Sequence, residues 1–414
     1  MTTTHTPRGV PEHVPSELVF DFDFYDMAGE TDVYQRYRKV QETLPDIFYT
    51  PRNGGHWVVT RYDVLVSVLD NPMVFSSRIP VIPAPPESGG FGLVNLDGDR
   101  HAALRKLIQP TLVQPLNRPS KQGQKLDAYI TDVAVGLIES VRPRGECEFY
   151  ADFASKLPIT VVMKTIVDLP MEDAPQLQEL VGDVARAGSN PAEFHAAFAG
   201  LARYFQQEII PLRRAHPGHD TISAIVHGRI DGEPLSDDEI MAVCNTVIVG
   251  GLDTVTSALL YSAWYLAEHP AERARLREDP SLVTGAVEEL LRRFAIINTA
   301  RCVATDVEFH GVRFVEGDLV FVPSTAAAVD ERRYPDAMAV DFGRADKRHL
   351  TFYRGPHVCP GAQIARRQLR IFVREWLSRI PEYQLKPGVQ VRMMAGLGNR
   401  IVDLPLVWDV PTQY

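Results

Sequence analysis

With 414 residues, 45% of them hydrophobic and 23% charged, the chain has the material for a large buried core, and this composition excludes a disordered or low-complexity protein. A formal net charge of -10 argues against general affinity for nucleic acid or an anionic membrane. The four cysteines, Cys147, Cys244, Cys302 and Cys359, stand far apart without CxxC or zinc-like spacing, which fits a reducing compartment and points to the cytoplasm.

Residues 1–15 are polar, contain proline and lack the basic start and apolar run of a signal peptide or anchor, so they read as a flexible tail. Residues 46–50 and 56–60 are β-prone runs joined through Asn53-Gly54-Gly55, a hairpin signal. The Pro/Gly-rich stretch 79–92 reads as a mobile loop inside one domain, not as a boundary. In the segment 97–105, His101 and Arg105 stand one helical turn apart. Ser236 and Glu239 form a capping box that opens a helix running to His269 before Pro270, about 50 Å at ~1.5 Å per residue.

The apolar run 240–267 in that helix has the length of a membrane span, but Asn245, Asp253 and the pair Gly250-Gly251 favour a buried core helix. Two glycines in mid-helix each cost about 1 kcal/mol relative to alanine, so they require either close packing or a local opening. Further on, Glu289 and Arg292 share a helix face, and small β signals lie in 303–322 and 390–407. Cys359 closes a turn-rich stretch and leads into a helix with a core-facing stripe of Ala365, Leu369, Phe372, Val373, Trp376 and Ile380. Arg366, Arg370 and Arg374 fall on another face. A cysteine at a helix N-terminus meets unpaired N–H groups and the positive end of the helix dipole, which favour thiolate. The expected fold is mainly α with small β-sheets, in a single domain over 1–414.

The string Phe352-Tyr353-Arg354-Gly355-Pro356-His357-Val358-Cys359-Pro360-Gly361 resembles the haem-thiolate loop of the cytochrome P-450 family. Glu289-Leu290-Leu291-Arg292 matches that family's ExxR motif and stands between the long helix and the cysteine loop, in the family's order. Val19-Phe20-Asp21-Phe22-Asp23, Asn53-Gly54-Gly55-His56-Trp57 and Leu404-Pro405-Leu406-Val407-Trp408 are similar to the bacterial camphor-hydroxylase branch, so the resemblance covers nearly the whole chain.

The resemblance implies the cytochrome P-450 fold, with the long helix crossing a haem b held by Cys359 in a loop that includes Phe352 and Gly361. His101, Arg105, Arg301 and His357 would reach the haem propionates, and Glu289 with Arg292 would brace the core beneath. Thr254 would hydrogen-bond dioxygen or a nearby water, Asp253 would relay protons, and Arg186 would pair with Asp253 as a gate. The implied reaction inserts one atom of dioxygen into a C–H bond. Because the chain has no Rossmann fingerprint, flavin-binding pattern or iron-sulfur cysteine cluster, electrons would come from a separate [2Fe–2S] ferredoxin served by a ferredoxin reductase. Arg366, Arg370 and Arg374 would form the docking patch, and a monomer is expected.

Two departures bear on tuning. Tyr353 stands where the family usually has a small residue, and Pro360 lacks an N–H, so one possible hydrogen bond to the sulfur is missing. Camphor itself is not expected as substrate: no tyrosine occurs between Tyr62 and Tyr129, and Gly89 falls where the camphor enzymes hold the ketone. Phe91, Val94, Thr246, Val249, Gly250, Ile297 and Leu397 line the pocket by position, and their mostly apolar character suits a terpenoid or an ionone-like norisoprenoid. A haem-thiolate sensor or binding protein and a peroxide-driven peroxygenase are the alternatives. Asp253-Thr254 speaks against both, since neither needs proton delivery to dioxygen.

Overall fold

The computed structural model describes residues 9–84, 92–114, 116, 120–168, 176, 179–180, 183 and 191–410, the side chains of residues 191, 192, 194, 195, 249 and 252 apart. The β-prone runs near the N-terminus form strands Ile47–Thr50 and His56–Val59, paired antiparallel from Ile47 opposite Val59 to Thr50 opposite His56. Their connection takes left-handed backbone at Asn53, Gly54 and Gly55 (φ 54°, 90° and 81°), which is why glycine dominates it. Strand Leu319–Pro323 lies parallel to His56–Val59, Asn298–Val303 follows antiparallel, and Phe75–Ser76 completes five strands.

This sheet separates two cores. Phe48, Val58, Ala300 and Phe321 point into the large helical core, whereas Tyr49, Trp57, Val59, Val303 and Val320 point into a smaller one on the opposite face. The alternation is the two-residue period of a strand covered on both sides. Smaller sheets join Glu146–Glu148, Pro405–Val407 and Gln384–Leu385, and pair Met393–Met394 with Arg400–Ile401.

The central helix spans Asp237–Glu268, 32 residues or about 48 Å at ~1.5 Å per residue. Its capping box is formed: the Ser236 hydroxyl accepts from Glu239 N–H, and the Glu239 carboxylate accepts from Ser236 N–H at 3.0 Å. Among the described residues it is the one helix long and apolar enough to cross a membrane, yet 69% of its most apolar stretch is buried inside the protein. A helix with apolar residues all round belongs in a core.

Three expectations change. His13 Nε2 lies 2.9 Å from Asp318 Oδ2 and Val14 is buried, so residues 13–15 are anchored and any tail is shorter than the sequence suggests. The central helix stays α-helical through Gly250-Gly251, so the local opening offered as one reason for the glycines does not occur. The stripe from Ala365 to Ile380 is buried as expected, but its helix begins at Ala362, three residues after Cys359. All four cysteines are free thiols. In the loop 79–92, residues 85–91 lie outside the described residues.

Candidate active site

The cysteine loop is held from behind by charge. Glu289 and Arg292 are both fully buried and bind face to face, Arg292 Nε to Glu289 Oε2 at 3.0 Å and Nη2 to Oε1 at 2.8 Å. Arg292 also donates to the carbonyls of Ala328, Ala337 and Ala339 at 2.8–2.9 Å, and Arg344 Nε donates to Glu289 Oε1 at 3.0 Å. The pair therefore fixes the irregular chain leading to the loop, and every buried charge has partners. Arg344 was not singled out from sequence, since a lone arginine 55 residues after its partner carries no local signal.

Cys359 sits at the mouth of the following helix. Its N–H donates to the Phe352 carbonyl at 2.9 Å, closing the loop on itself. Burial pushes its thiol up, while the N–H groups of Gly361 and Ala362 and the charges of Arg105 and Arg366 pull it down without outweighing burial. A Cβ on Gly361 would stand 3.9 Å from the sulfur, in ordinary contact. Tyr353 has φ +53°, and its hydroxyl lies 3.1 Å from the carbonyls of both Ile297 and Val322, so it ties the loop to the five-stranded sheet.

Four expected cofactor contacts converge beside the cysteine. The rings of His101 and His357 stack at 4.2 Å, and His357 Nε2 lies 3.1 Å from Asp97 Oδ1. Asp97 also accepts from the Ser76 hydroxyl at 2.6 Å and from Ser77 N–H at 2.8 Å. Burial, with His357 and Arg105 close by, brings His101 down to about 4. Arg105 is half-buried and near enough to interact with Cys359, and Arg301 is buried, donating to the Ala300 carbonyl at 2.8 Å. Asp97, which orients His357, was missed because it reads as a helix cap; its side chain makes no capping bond.

On the central helix the two glycines divide the work. A Cβ on Gly251 would stand 2.7 Å from Val162 Cγ2, so this glycine serves helix packing. Among the described residues, a Cβ on Gly250 would meet nothing within 4 Å, so this one faces open space there. One turn on, the Thr254 hydroxyl donates to the Gly250 carbonyl at 2.9 Å. Asp253 is half-buried, and burial pushes its carboxyl up against the pull of Arg400.

Of the expected pocket residues, Val94 is half-buried in the turn Gly92–Val94, which packs against the helix so closely that a Cβ on Gly92 would collide with the Ala242 carbonyl. Thr246 is beside it, its hydroxyl donating to the same carbonyl at 2.9 Å. Ile297 pairs with Gly398, and Asn298 N–H donates to the Leu397 carbonyl at 2.8 Å, which brings those two segments together near Asp253. Phe91, Arg186 and the side chain of Val249 lie outside the described residues.

The arginine stripe is tied down by carboxylates. Glu288 binds Arg366 at 2.7 and 3.0 Å, with the guanidinium over the Phe352 ring at 4.5 Å, Glu375 binds Arg374 at 2.9 Å, and Arg367 pairs with Asp127. Arg370 and Arg374 line a groove of about 540 Å³ with Arg367, which sequence spacing placed on no patch.

The match to the family model "Cytochrome P-450" covers residues 193–398. A curated relative from Sinorhizobium fredii, "Probable cytochrome P-450 127A1", is 31% identical, covering 96% of this chain and 97% of its own. The chain belongs to the cytochrome P-450 family. A second relative, "Mycinamicin IV hydroxylase/epoxidase" from Micromonospora griseorubida, is 29% identical over 94% of this chain and 98% of its own. The solved structure of CYP101J2 superposes with a TM-score of 0.86 at 34% identity, covering 97% of this chain and all of that one. The protein is accordingly a bacterial-type P-450 monooxygenase, an oxidoreductase whose family uses haem b and dioxygen.

The residues present fit a haem. Cys359 offers its sulfur beside Arg105. His101 Nε2 is buried without a protein partner, and Arg105 has no carboxylate within ion-pair distance among the described residues. Such unused donors suit the carboxylates of a bound ligand.

Proposed function

We propose that this P-450 inserts one oxygen atom from dioxygen into a C–H bond of a compact apolar terpenoid or norisoprenoid, ionone-like and not camphor. The observation that carries this reading is the open space before Gly250 among the described residues, one helical turn from Thr254 and flanked by Asp253. Haem b, ligated by Cys359, supplies the activation of dioxygen when bound. His101, Arg105, Arg301 and His357 hold its propionates, with His101 acting as a neutral donor. Thr254 turns its hydroxyl oxygen toward the open space as an acceptor while donating to Gly250, and Asp253 supplies protons from the solvent side.

The apolar residues Val94, Ile297 and Leu397, with Thr246, set the shape of the pocket; Phe91 and Val249 belong with them by position. Without a polar anchor, a substrate is held by shape, so more than one hydroxylation product is expected. Arg186 gates Asp253. Electrons arrive from a [2Fe–2S] ferredoxin and its reductase at the groove lined by Arg367, Arg370 and Arg374. The protein works as a cytoplasmic monomer, one domain over 414 residues.

A spin-state titration against a terpenoid panel, followed by product analysis with reductant and dioxygen or with peroxide, tests the reading. Tight binding of an ionone-like compound and products that require reductant support it. A tight camphor response would overturn the substrate class, and turnover on peroxide alone would favour the peroxygenase.

A further inference from the structure

Asp253 lines a second cavity, about 150 Å³ in volume, whose wall includes Tyr150, Thr256, Ser257, Leu260 and Arg400. At about 100° per residue, positions 253, 256, 257 and 260 form one helix face. Asp253 is thereby rotated about 100° from Thr254, toward the cavity. Its Oδ2 lies 3.9 Å from the point where a Cβ on Gly398 would stand, so the carboxylate abuts the turn that leads into strand Arg400–Ile401.

That strand is held in register. Met394 pairs with Arg400, Asn399 N–H donates to the Ile296 carbonyl at 2.8 Å, and Gly398 bridges to Ile297. The guanidinium of Arg400 is thus carried to the cavity wall by backbone anchored next to the central helix. Besides Asp253 it is the charged group in that wall, and Tyr150 is the remaining titratable one. Thr256 and Ser257 add hydroxyls to the wall, that of Thr256 donating to the Ala154 carbonyl at 3.1 Å.

We propose that Arg400 is the positioning residue for Asp253, holding its carboxylate on the cavity side of the central helix, and that this cavity is the route by which Asp253 exchanges protons with solvent. The two side chains line one cavity, with Arg400 Nη2 also 3.6 Å from Met394 Sδ, and only the use made of the proton rests on the monooxygenase reading. The opposing effect of Arg400 on the burial-raised Asp253 carboxyl agrees with it.

The test compares haem-loaded wild type with Arg400→Gln and Arg400→Lys, using Asp253→Asn to assign the carboxyl band in difference infrared titrations. In Arg400→Gln the Asp253 midpoint should move up by about one unit, and Arg400→Lys should restore most of it. Reductant-driven turnover should fall about tenfold or more with an enlarged solvent deuterium isotope effect, while haem absorbance and substrate titration stay unchanged. An unmoved midpoint in Arg400→Gln overturns the proposal. A moved midpoint with unmoved turnover upholds the pairing and overturns instead the role of Asp253 as proton relay.

Discussion

Gly250→Ala and Gly251→Ala form a matched pair: the same methyl added at neighbouring positions of one helix. In a helix interior alanine is favoured over glycine by about 1 kcal/mol. At position 250 the new Cβ meets nothing within 4 Å among the described residues, so the variant should keep that gain. At position 251 it would stand 2.7 Å from Cγ2 of Val162, a side chain only 4% exposed. Val162 is β-branched and stiff at χ1, so it cannot swing aside, and overpacking of this kind costs about 1–3 kcal/mol. The net change at 251 is then about 0–2 kcal/mol of destabilisation. Gly250→Ala should therefore exceed Gly251→Ala in stability by about 1–3 kcal/mol, read from urea unfolding of the haem-loaded proteins at equal slopes. Substrate titration should respond the other way, weakened by the methyl that enters open space at 250 and left alone by the one at 251. If Gly251→Ala is the more stable variant, or if Gly250→Ala binds substrate normally, the division of roles between the two glycines is wrong.

Acid stability should carry the signature of Asp97. Burial opposes its charge, but His357, the Ser76 hydroxyl and Ser77 N–H outweigh burial and lower its carboxyl from 3.8 to about 2. That contribution is full above about pH 4 and is lost as pH falls through about 2, and at ~1.4 kcal/mol per unit it amounts to about 2 kcal/mol. Asp97→Asn should flatten the stability curve in this window by that amount, and an unchanged acid limb would contradict the assignment. Pro360→Leu adds an N–H beside the sulfur, next to those of Gly361 and Ala362, and should raise the haem reduction potential; a potential that stays put sinks the idea that Pro360 strengthens the thiolate. Arg374 is paired with Glu375 but half-exposed at the groove, so Arg374→Glu should slow ferredoxin-driven reduction about tenfold at low salt and less at high salt, whereas Arg366 is mostly buried against Glu288 and Arg366→Glu should damage haem loading first.

What could be read from the sequence is what local physics writes there. The capping box at Ser236 and Glu239, the stripe from Ala365 to Ile380 and the Gly54-Gly55 turn depend on neighbours within a few residues, and each forms as expected. The ExxR pair is local too, but its third member, Arg344, and the carbonyls of 328, 337 and 339 arrive through the path of the chain and leave no spacing to detect. Arg366 shows the same limit from the other side: a four-residue period puts it on a stripe with Arg370 and Arg374, but the bidentate carboxylate of Glu288, 78 residues earlier, leaves no sign in that spacing.

Asp253 is the sharpest case. Its own surroundings in the sequence name it as an acid after two glycines, but whether it serves as an acid depends on a cation brought 147 residues later by a two-residue strand. Gly398, two positions before that cation, leaves room for the carboxylate to reach the backbone turn. A larger residue at 398 would crowd both Asp253 and Ile297, so Gly398→Val should disturb proton delivery and substrate fit together, whereas Arg400→Gln should disturb the first alone. Solvent isotope effects and spin-state titrations on the two variants separate these outcomes, and a Gly398→Val protein altered in only one of them would show that the pocket and the proton route are not joined at this turn.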